Sequence, residues 1–148
     1  MAAQTIVMAS DHAGFELKEL LKGDLRAAGR EVLDLGVHSS QSADYPDYGR
    51  ALAEAIRDGK AERGVLVCGT GIGIAIAANR EPSVRAAVVH DVTSARLTRQ
   101  HNDANVMALG SRLIGAEVAR DCLRVFLDTA FEGGRHAARV AKLARSAS

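Results

Sequence analysis

Short apolar runs alternate with longer amphipathic segments along this chain. Five of the runs are largely continuous, which is typical of strands that are buried on both faces of a parallel sheet. The predicted strands span residues 5–9, 31–35, 64–67, 84–89 and 105–109.

The segments between these runs predict helices, because their apolar side chains recur at three- and four-residue spacing. The predicted helices span residues 15–28, 45 onward, 74–78, 93–100, 115–129 and about 135–145. Their inward positions are Leu17, Leu20, Leu21, Leu25, Leu52, Ala55, Ile56, Val118, Cys122, Val125 and Phe126. Strands that alternate with helices predict an α/β fold, here a three-layer α/β/α sandwich around a five-stranded parallel, Rossmann-like sheet.

Length and composition predict one domain, residues 1–148. A net charge of +1 and an aromatic content of 3% argue against a nucleic-acid partner. No apolar run approaches the roughly 20 residues that span a bilayer, and no signal peptide is indicated, so no membrane partner is expected. The two cysteines, Cys68 and Cys122, do not make a disulfide scaffold, so we expect a reducing, cytoplasmic setting.

The third predicted strand ends in Cys68-Gly69-Thr70-Gly71-Ile72-Gly73, a cysteine in a glycine-rich turn. Residues 74–78 continue this turn as a helix, so free backbone N–H groups gather beside the thiol. Such a site offers a base or a nucleophile next to a pocket for negative charge. This combination suits proton transfer beside a carbonyl group.

Other polar residues follow the predicted strands where each one ends. Because ligands of open α/β sheets bind outside the carboxyl ends of the strands, we expect these residues at one edge. They are Asp11, His12, Tyr45, Cys68, Thr70, His90, Asp91 and Arg112.

Four motifs identify a resemblance that covers nearly the whole chain. Residues 10–14 (SDHAG), 44–48 (DYPDY), 68–73 (CGTGIG) and 101–105 (HNDAN) resemble type B ribose-5-phosphate isomerases and the wider group that includes galactose-6-phosphate isomerase subunits. The resemblance implies an aldose–ketose isomerase that acts on a sugar phosphate through an enediolate, without metal or cofactor. Ribose 5-phosphate is the first choice of substrate, and tetrose and hexose phosphates are the alternatives.

The resemblance also implies the role of each site residue. Cys68 would move the proton between C1 and C2, His101 would open the sugar ring, and Asp11 and Thr70 would handle the sugar hydroxyls. Some members carry serine at the cysteine position and use a nearby glutamate, but residues 72–78 contain no acid, so this chain resembles the cysteine branch. The substrate-binding residues would be His12, Tyr45, Gly69, Gly71, Gly73, Asn102, Arg112, Arg135 and Arg139.

The family forms homodimers with shared active sites, so the resemblance implies a dimer or a tetramer. It places His101 and Arg112 on the partner of the subunit that supplies Cys68. Two functions from other classes stay open: a phosphate- or nucleotide-binding module without chemistry, and a structural subunit of a hetero-oligomeric isomerase. Turnover by the purified chain alone distinguishes them.

Simpler interpretations compete at several positions. Gly69 and Gly71 fit a dinucleotide fingerprint, but position 74 is isoleucine, and no lysine follows the glycines as a P-loop requires. The histidines show no metal motif at ligand spacing. We expect Cys122 in the core, and His38, His136, Lys142 and Arg145 on the surface. His90 and Asp91 could simply orient their loop.

Overall fold

The computed structural model describes residues 4–144, in which five strands and six helices alternate. Position 145, which the predicted last helix includes, lies outside this range. The strands are β1 (Ile6–Ser10), β2 (Val32–Asp34), β3 (Arg63–Cys68), β4 (Ala86–Val88) and β5 (Val106–Gly110). The helices are α1 (Phe15–Ala27), α2 (Tyr45–Arg57), α3 (Ile72–Ala78), α4 (Val92–Asn102), α5 (Ala116–Asp128) and α6 (Arg135–Leu143).

All neighbouring strands run parallel, in the order β2-β1-β3-β5-β4. The chain moves outward from β1 to β2, then returns to place β3 on the other side of β1. A switch of this kind opens a crevice at the carboxyl ends of the two central strands. Ser10 at the end of β1 lies in register with Val67, next to Cys68 at the end of β3.

The sheet separates two apolar cores, which gives the predicted three layers. Alternate residues of the central strands pack on one face against α1, α4 and α5, around Leu21, Ala95 and Phe126. The other residues, including Cys68, pack against α2 and α3, around Leu52 and Ile74. The fold class predicted from the sequence is therefore confirmed.

Helix α5 corrects one predicted inward position. Val118 is 41% exposed, whereas the neighbouring Ala119 is fully buried with Cys122 and Phe126. Val118 and Ala119 both stand at helical spacing from the apolar residues that follow them, and packing against the sheet determines that Ala119 faces the core. Cys122 lies in the core as expected, and burial raises the pKa of its thiol to about 11.

A buried ion cluster ties α1 to β2. The Lys18 ammonium is fully buried and donates to both oxygens of Asp34, at 2.9 and 2.8 Å, and Lys22 donates to Asp34 at 2.8 Å. Burial opposes ionisation of Asp34, but the hydrogen bonds from the two lysines outweigh it and lower its pKa to about 2. Asp34 also accepts from the Gly36 amide at 2.9 Å, so the cluster anchors the start of the loop after β2.

No helix within residues 4–144 is long and apolar enough to cross a bilayer.

Candidate active site

Cys68 lies at the carboxyl end of β3 with its side chain only 4% exposed. The Gly71 amide donates a hydrogen bond to its sulfur at 3.2 Å, and the Ile72 amide donates to the Thr70 hydroxyl at 3.2 Å. An N–H group aimed at sulfur stabilises the negative charge of a thiolate. The turn therefore places a backbone donor directly on the Cys68 sulfur.

The turn also offers unpaired amides. The first four N–H groups of a helix lack partners within it. In α3 the Ile72 amide reaches Thr70 and the Ala75 amide reaches the Gly71 carbonyl, whereas those of Gly73 and Ile74 have no acceptor in the described part of the chain. Two adjacent donors beside a thiol fit the binding of a negatively charged oxygen.

Close packing against β5 fixes the shape of this turn. Gly71 has a φ of +78°, and a Cβ there would lie 2.9 Å from the Leu109 carbonyl carbon. A Cβ on Gly110 would lie 2.7 Å from the Thr70 carbonyl carbon. Both approaches require glycine, so the backbone itself locks the position of the Cys68 turn.

Asp11 and Gly14 bring the end of β1 to the same place. The Asp11 carboxylate, 7% exposed, accepts from the Gly14 amide at 3.0 Å, and the Asp11 amide donates to the Val67 carbonyl at 3.3 Å. A Cβ on Gly14 would lie 2.4 Å from the Val67 carbonyl oxygen, so only glycine permits this approach. The second carboxylate oxygen of Asp11 has no partner among the described residues, so it is free to bind a hydroxyl group.

His12 is held by the loop after β2. Its Nδ1 accepts from the Ala43 amide at 3.1 Å. Nδ1 also lies 3.3 Å from the Ala43 carbonyl oxygen, to which it donates in the other tautomer, so the loop holds the ring in both tautomers. Nε2 has no hydrogen-bond partner within residues 4–144 and is open to a ligand. Tyr45, 43% exposed, packs its ring on Gly73, where a Cβ would lie 2.5 Å from the ring. Asp11, His12, Tyr45, Cys68 and Thr70 therefore gather at one edge, as the sequence predicts.

Arg112 corrects a prediction. The resemblance places it on the partner subunit, but its side chain lies beside Gly69 of its own chain, with Cδ 3.3 Å from the point where a Cβ would stand. The Arg112 amide also donates to the Gly69 carbonyl at 3.0 Å. Arg112 therefore supplies a positive charge next to Cys68 within one chain.

His101 lies at the other end of the sheet. Helix α4 starts after β4 and runs back about 16 Å to the amino end of β5, given 1.5 Å per residue. Just beyond it, the Asn105 carbonyl accepts from the Gly64 amide, at the start of β3. Since β3 rises about 3.3 Å per residue from Gly64 to Cys68, His101 cannot reach Cys68 of the same chain.

A second group of site residues surrounds His101. Its ring stacks on that of His136, with centroids 4.4 Å apart and planes at 16°. The Glu132 carboxylate lies 3.5 Å from His101 Nε2 and 3.9 Å from His136 Nε2. A cavity of about 310 Å³ beside the rings is also lined by Asn102 and Arg139. Arg135 and Arg139 are both exposed on α6, which packs against α4.

His136 is buried, only 7% exposed, which corrects the prediction that it lies on the surface. Burial, followed by the charges of His101 and Arg135, lowers its pKa. Neither His136 nor Glu132 is predicted from the sequence as a member of this group. Their four-residue spacing was a usable signal, but Glu132 precedes α6 in a turn whose fold the sequence does not reveal. The His101, Glu132 and His136 ligand atoms lie within 4.8 Å of one another and could hold a metal ion.

His90 and Asp91 take no visible part in either group. Asp91 is the N-cap of α4, where its carboxylate accepts from the Ser94 amide at 2.6 Å. This agrees with the structural interpretation of the pair.

Comparisons with known proteins agree with this architecture. The family model for ribose/galactose isomerases matches residues 6–143. Ribose-5-phosphate isomerase B of Escherichia coli is 46% identical, covering 91% of each chain. The D-erythrulose-4-phosphate isomerase of Pectobacterium atrosepticum is 42% identical, covering 94% of this chain and 92% of its own. The structure of the Mycoplasma genitalium ribose-5-phosphate isomerase B with bound ribulose 5-phosphate superposes with a TM-score of 0.90 at 38% identity, covering 95% and 94% of the two chains.

Proposed function

Because this chain belongs to the ribose/galactose isomerase family, we propose that it interconverts ribose 5-phosphate and ribulose 5-phosphate, with Cys68 as the base. The observation that carries the assignment of Cys68 is the 3.2 Å hydrogen bond from the Gly71 amide to its sulfur. The same turn presents the free amides of Gly73 and Ile74, so base and oxyanion donors occupy one rigid loop.

Reaction begins with ring opening. His101 moves the proton between the anomeric hydroxyl and the ring oxygen, a task suited to imidazole because its ordinary pKa is about 6.5. Asn102 and the stacked His136 lie beside it. Asp11 and Thr70 bind the hydroxyl groups of the opened sugar.

Proton transfer follows at the Cys68 turn. The thiolate removes the proton from C2 of the aldose, and the electron pair of that C–H bond shifts to form the enediolate. The free backbone amides of Gly73 and Ile74 stabilise the developing negative oxygen, and one such donor typically contributes about 3 kcal/mol. A proton also passes from O2 to O1 of the enediolate, and Cys68 then returns the proton it holds to C1, which completes the ketose with its carbonyl group at C2.

The phosphate is held by cations around this centre. Arg112 lies beside Gly69, and His12 presents its Nε2 at the same edge. Arg135 and Arg139 extend from α6, and guanidinium groups bind phosphate through paired hydrogen bonds. Such anchoring fixes the distance between the phosphate and the reacting carbons.

A homodimer completes the proposed site. Cys68 and His101 lie at opposite ends of the sheet, so His101 and α6 of one subunit would meet the Cys68 turn of the other. Apolar side chains beside this turn support an interface there, since Ile72 and Ile76 of α3 are 50% and 60% exposed. The proposed setting is the cytoplasm, which suits a free catalytic thiol.

Turnover by the purified chain tests the function. Ribose 5-phosphate, erythrose 4-phosphate and allose 6-phosphate are compared by kcat/KM, with ribose as the unphosphorylated control. We expect ribose 5-phosphate to rank first and ribose last, because ribose lacks the remote binding energy of the phosphate. The second candidate substrate is the tetrose phosphate, because the Pectobacterium relative is a D-erythrulose-4-phosphate isomerase. A tenfold preference for it would replace the pentose assignment, whereas no turnover of any sugar phosphate would refute the isomerase.

A further inference from the structure

We propose that His101, Glu132 and His136 form a binding site for a divalent transition-metal ion, best matched by Zn²⁺, and that its occupation reversibly inhibits the enzyme. The inhibition rests on the proposed function, whereas the binding does not.

Geometry favours this ion. Zinc binds imidazole nitrogen and carboxylate oxygen at about 2.0–2.2 Å, so two ligands of a tetrahedral site lie about 3.4 Å apart. The Glu132 oxygen lies 3.5 Å from His101 Nε2 and 3.9 Å from His136 Nε2. All three ligand atoms lie within 4.8 Å of one another. Because the His101 and His136 rings stack at 16°, their Nε2 lone pairs do not converge as they stand. The partly exposed His101 ring must therefore turn about its side-chain bonds to join His136 and Glu132 on one ion.

Two packed elements bring the three residues together: His101 lies on α4, Glu132 precedes α6, and His136 lies on α6. His136 is buried in the first turn of α6, where its amide donates to the Gly133 carbonyl at 3.0 Å. The Glu132 amide donates to the Gln100 carbonyl at 3.1 Å, which fastens the turn before α6 to the end of α4. The folded chain therefore brings the three residues together before any ion arrives, which lowers the ordering cost of binding.

The donor set selects the class of ion. Two imidazoles and one carboxylate are ligands of zinc sites that keep an open fourth position. Mg²⁺ and Ca²⁺ prefer six or more oxygen ligands, and this cluster supplies oxygen from Glu132 alone. The expected preference is therefore Zn²⁺ over Mg²⁺.

Occupation would remove His101 from the reaction. An imidazole whose Nε2 lone pair is bound to zinc cannot shuttle a proton through that atom. Because His101 is the proposed ring-opening group, zinc would act as an inhibitor and chelators would restore turnover. The site is thus inhibitory and not a cofactor site.

Calorimetric titration of the metal-free full-length protein with Zn²⁺ tests the binding. We expect one ion per chain with a Kd of about 10 µM or tighter, and at least about a tenfold loss of affinity in both Glu132→Gln and His136→Asn. The matched control is His38→Asn, which removes an exposed histidine and should leave the affinity unchanged. Cys68→Ala should also retain binding, which separates this site from capture by the thiol. Thermal unfolding of each variant without metal checks folding, and the partly exposed His101→Asn supplies a third ligand variant should His136→Asn unfold.

Binding that persists in Glu132→Gln and His136→Asn, or that disappears in Cys68→Ala, overturns the proposed ligand set. Binding no stronger for Zn²⁺ than for Mg²⁺ does the same. Enzyme assays form a separate arm: zinc should inhibit wild-type turnover of ribose 5-phosphate, and a chelator should reverse it. Wild-type protein that binds zinc but never isomerises a sugar phosphate refutes the proposed function and leaves the metal site standing.

Discussion

The Gly71 amide donates to the Cys68 sulfur across 3.2 Å, from a backbone position with a φ of +78°. This contact joins the chemistry of the chain to its packing, because the left-handed glycine both aims the donor and permits the close approach to Leu109. Backbone geometry thus contributes directly to the environment of the thiol, alongside the positive charge of Arg112.

Replacement of Cys68 tests its role as the base. Cys68→Ala should lower kcat by about 10³-fold or more while leaving the substrate Kd within a fewfold of wild type, because only proton transfer is lost. Steady-state kinetics and calorimetric binding measure the two effects. The matched control is Cys122→Ala, which should keep its activity and lose about 1 kcal/mol of stability, since that thiol fills core volume. A Cys68→Ala variant that keeps a tenth of wild-type kcat would show that another group is the base.

Gly71→Ala should damage both stability and turnover. The alanine must adopt an unfavourable φ, and its Cβ meets the Leu109 carbonyl. We therefore expect a loss of more than about 2 kcal/mol in the free energy of unfolding, together with displacement of the backbone amide at position 71. Gly29 is the matched control, because it has a φ of +81° and open space around its Cβ position. Gly29→Ala should cost about 1–2 kcal/mol and leave kcat unchanged. Urea unfolding and kinetics of both variants measure the difference, and equal losses would mean that crowding against β5 contributes nothing.

The Cys68 turn could be predicted from the sequence because its chemistry is local. A buried strand, a thiol and three glycines follow one another, and each constrains the next. Residues that only tertiary packing brings together were harder to predict from the sequence. The burial of His136 depends on how the turn at Glu132 folds onto α4, and the direction of Arg112 depends on contact with a loop more than 40 positions earlier. Helical periodicity alone could not decide between Val118 and Ala119.

His101→Asn separates ring opening from proton transfer. We expect kcat/KM to fall by about 10²-fold or more for ribose 5-phosphate, which is mostly cyclic, and far less for erythrose 4-phosphate, whose phosphate blocks furanose closure. The ratio of kcat/KM between wild type and variant, measured with each substrate, gives the two losses. Equal losses on the two sugars would place His101 in enolisation or in general binding.

Acid should weaken the fold through Asp34. Its folded pKa of about 2 lies below the ordinary value of 3.8, so its ionised form contributes stability above about pH 4, and this contribution is lost as the pH falls toward 2. The shift corresponds to about 2 kcal/mol. Asp34→Asn should remove this pH dependence and cost about 3–5 kcal/mol at neutral pH, because Lys18 is left buried without its main partner. Chemical unfolding between pH 2 and 7 measures both, with the exposed Asp58→Asn as a control that should change little.

Mixed dimers test how the site is divided between subunits. In the proposed dimer each site takes Cys68 from one subunit and His101 from the other. A heterodimer of Cys68→Ala and His101→Asn chains therefore has one intact and one doubly damaged site, and it should show about half of wild-type activity. Cys68→Ala mixed with Arg112→Ala is the discriminating control. Arg112 lies beside Gly69 of its own chain, so both sites of that heterodimer are damaged and no activity should return. Subunit exchange after mild denaturation, with heterodimers purified by a tag on one variant, provides the samples. Activity from the second pair would move Arg112 to the half that holds His101, and an inactive first pair would show that each site lies within a single chain.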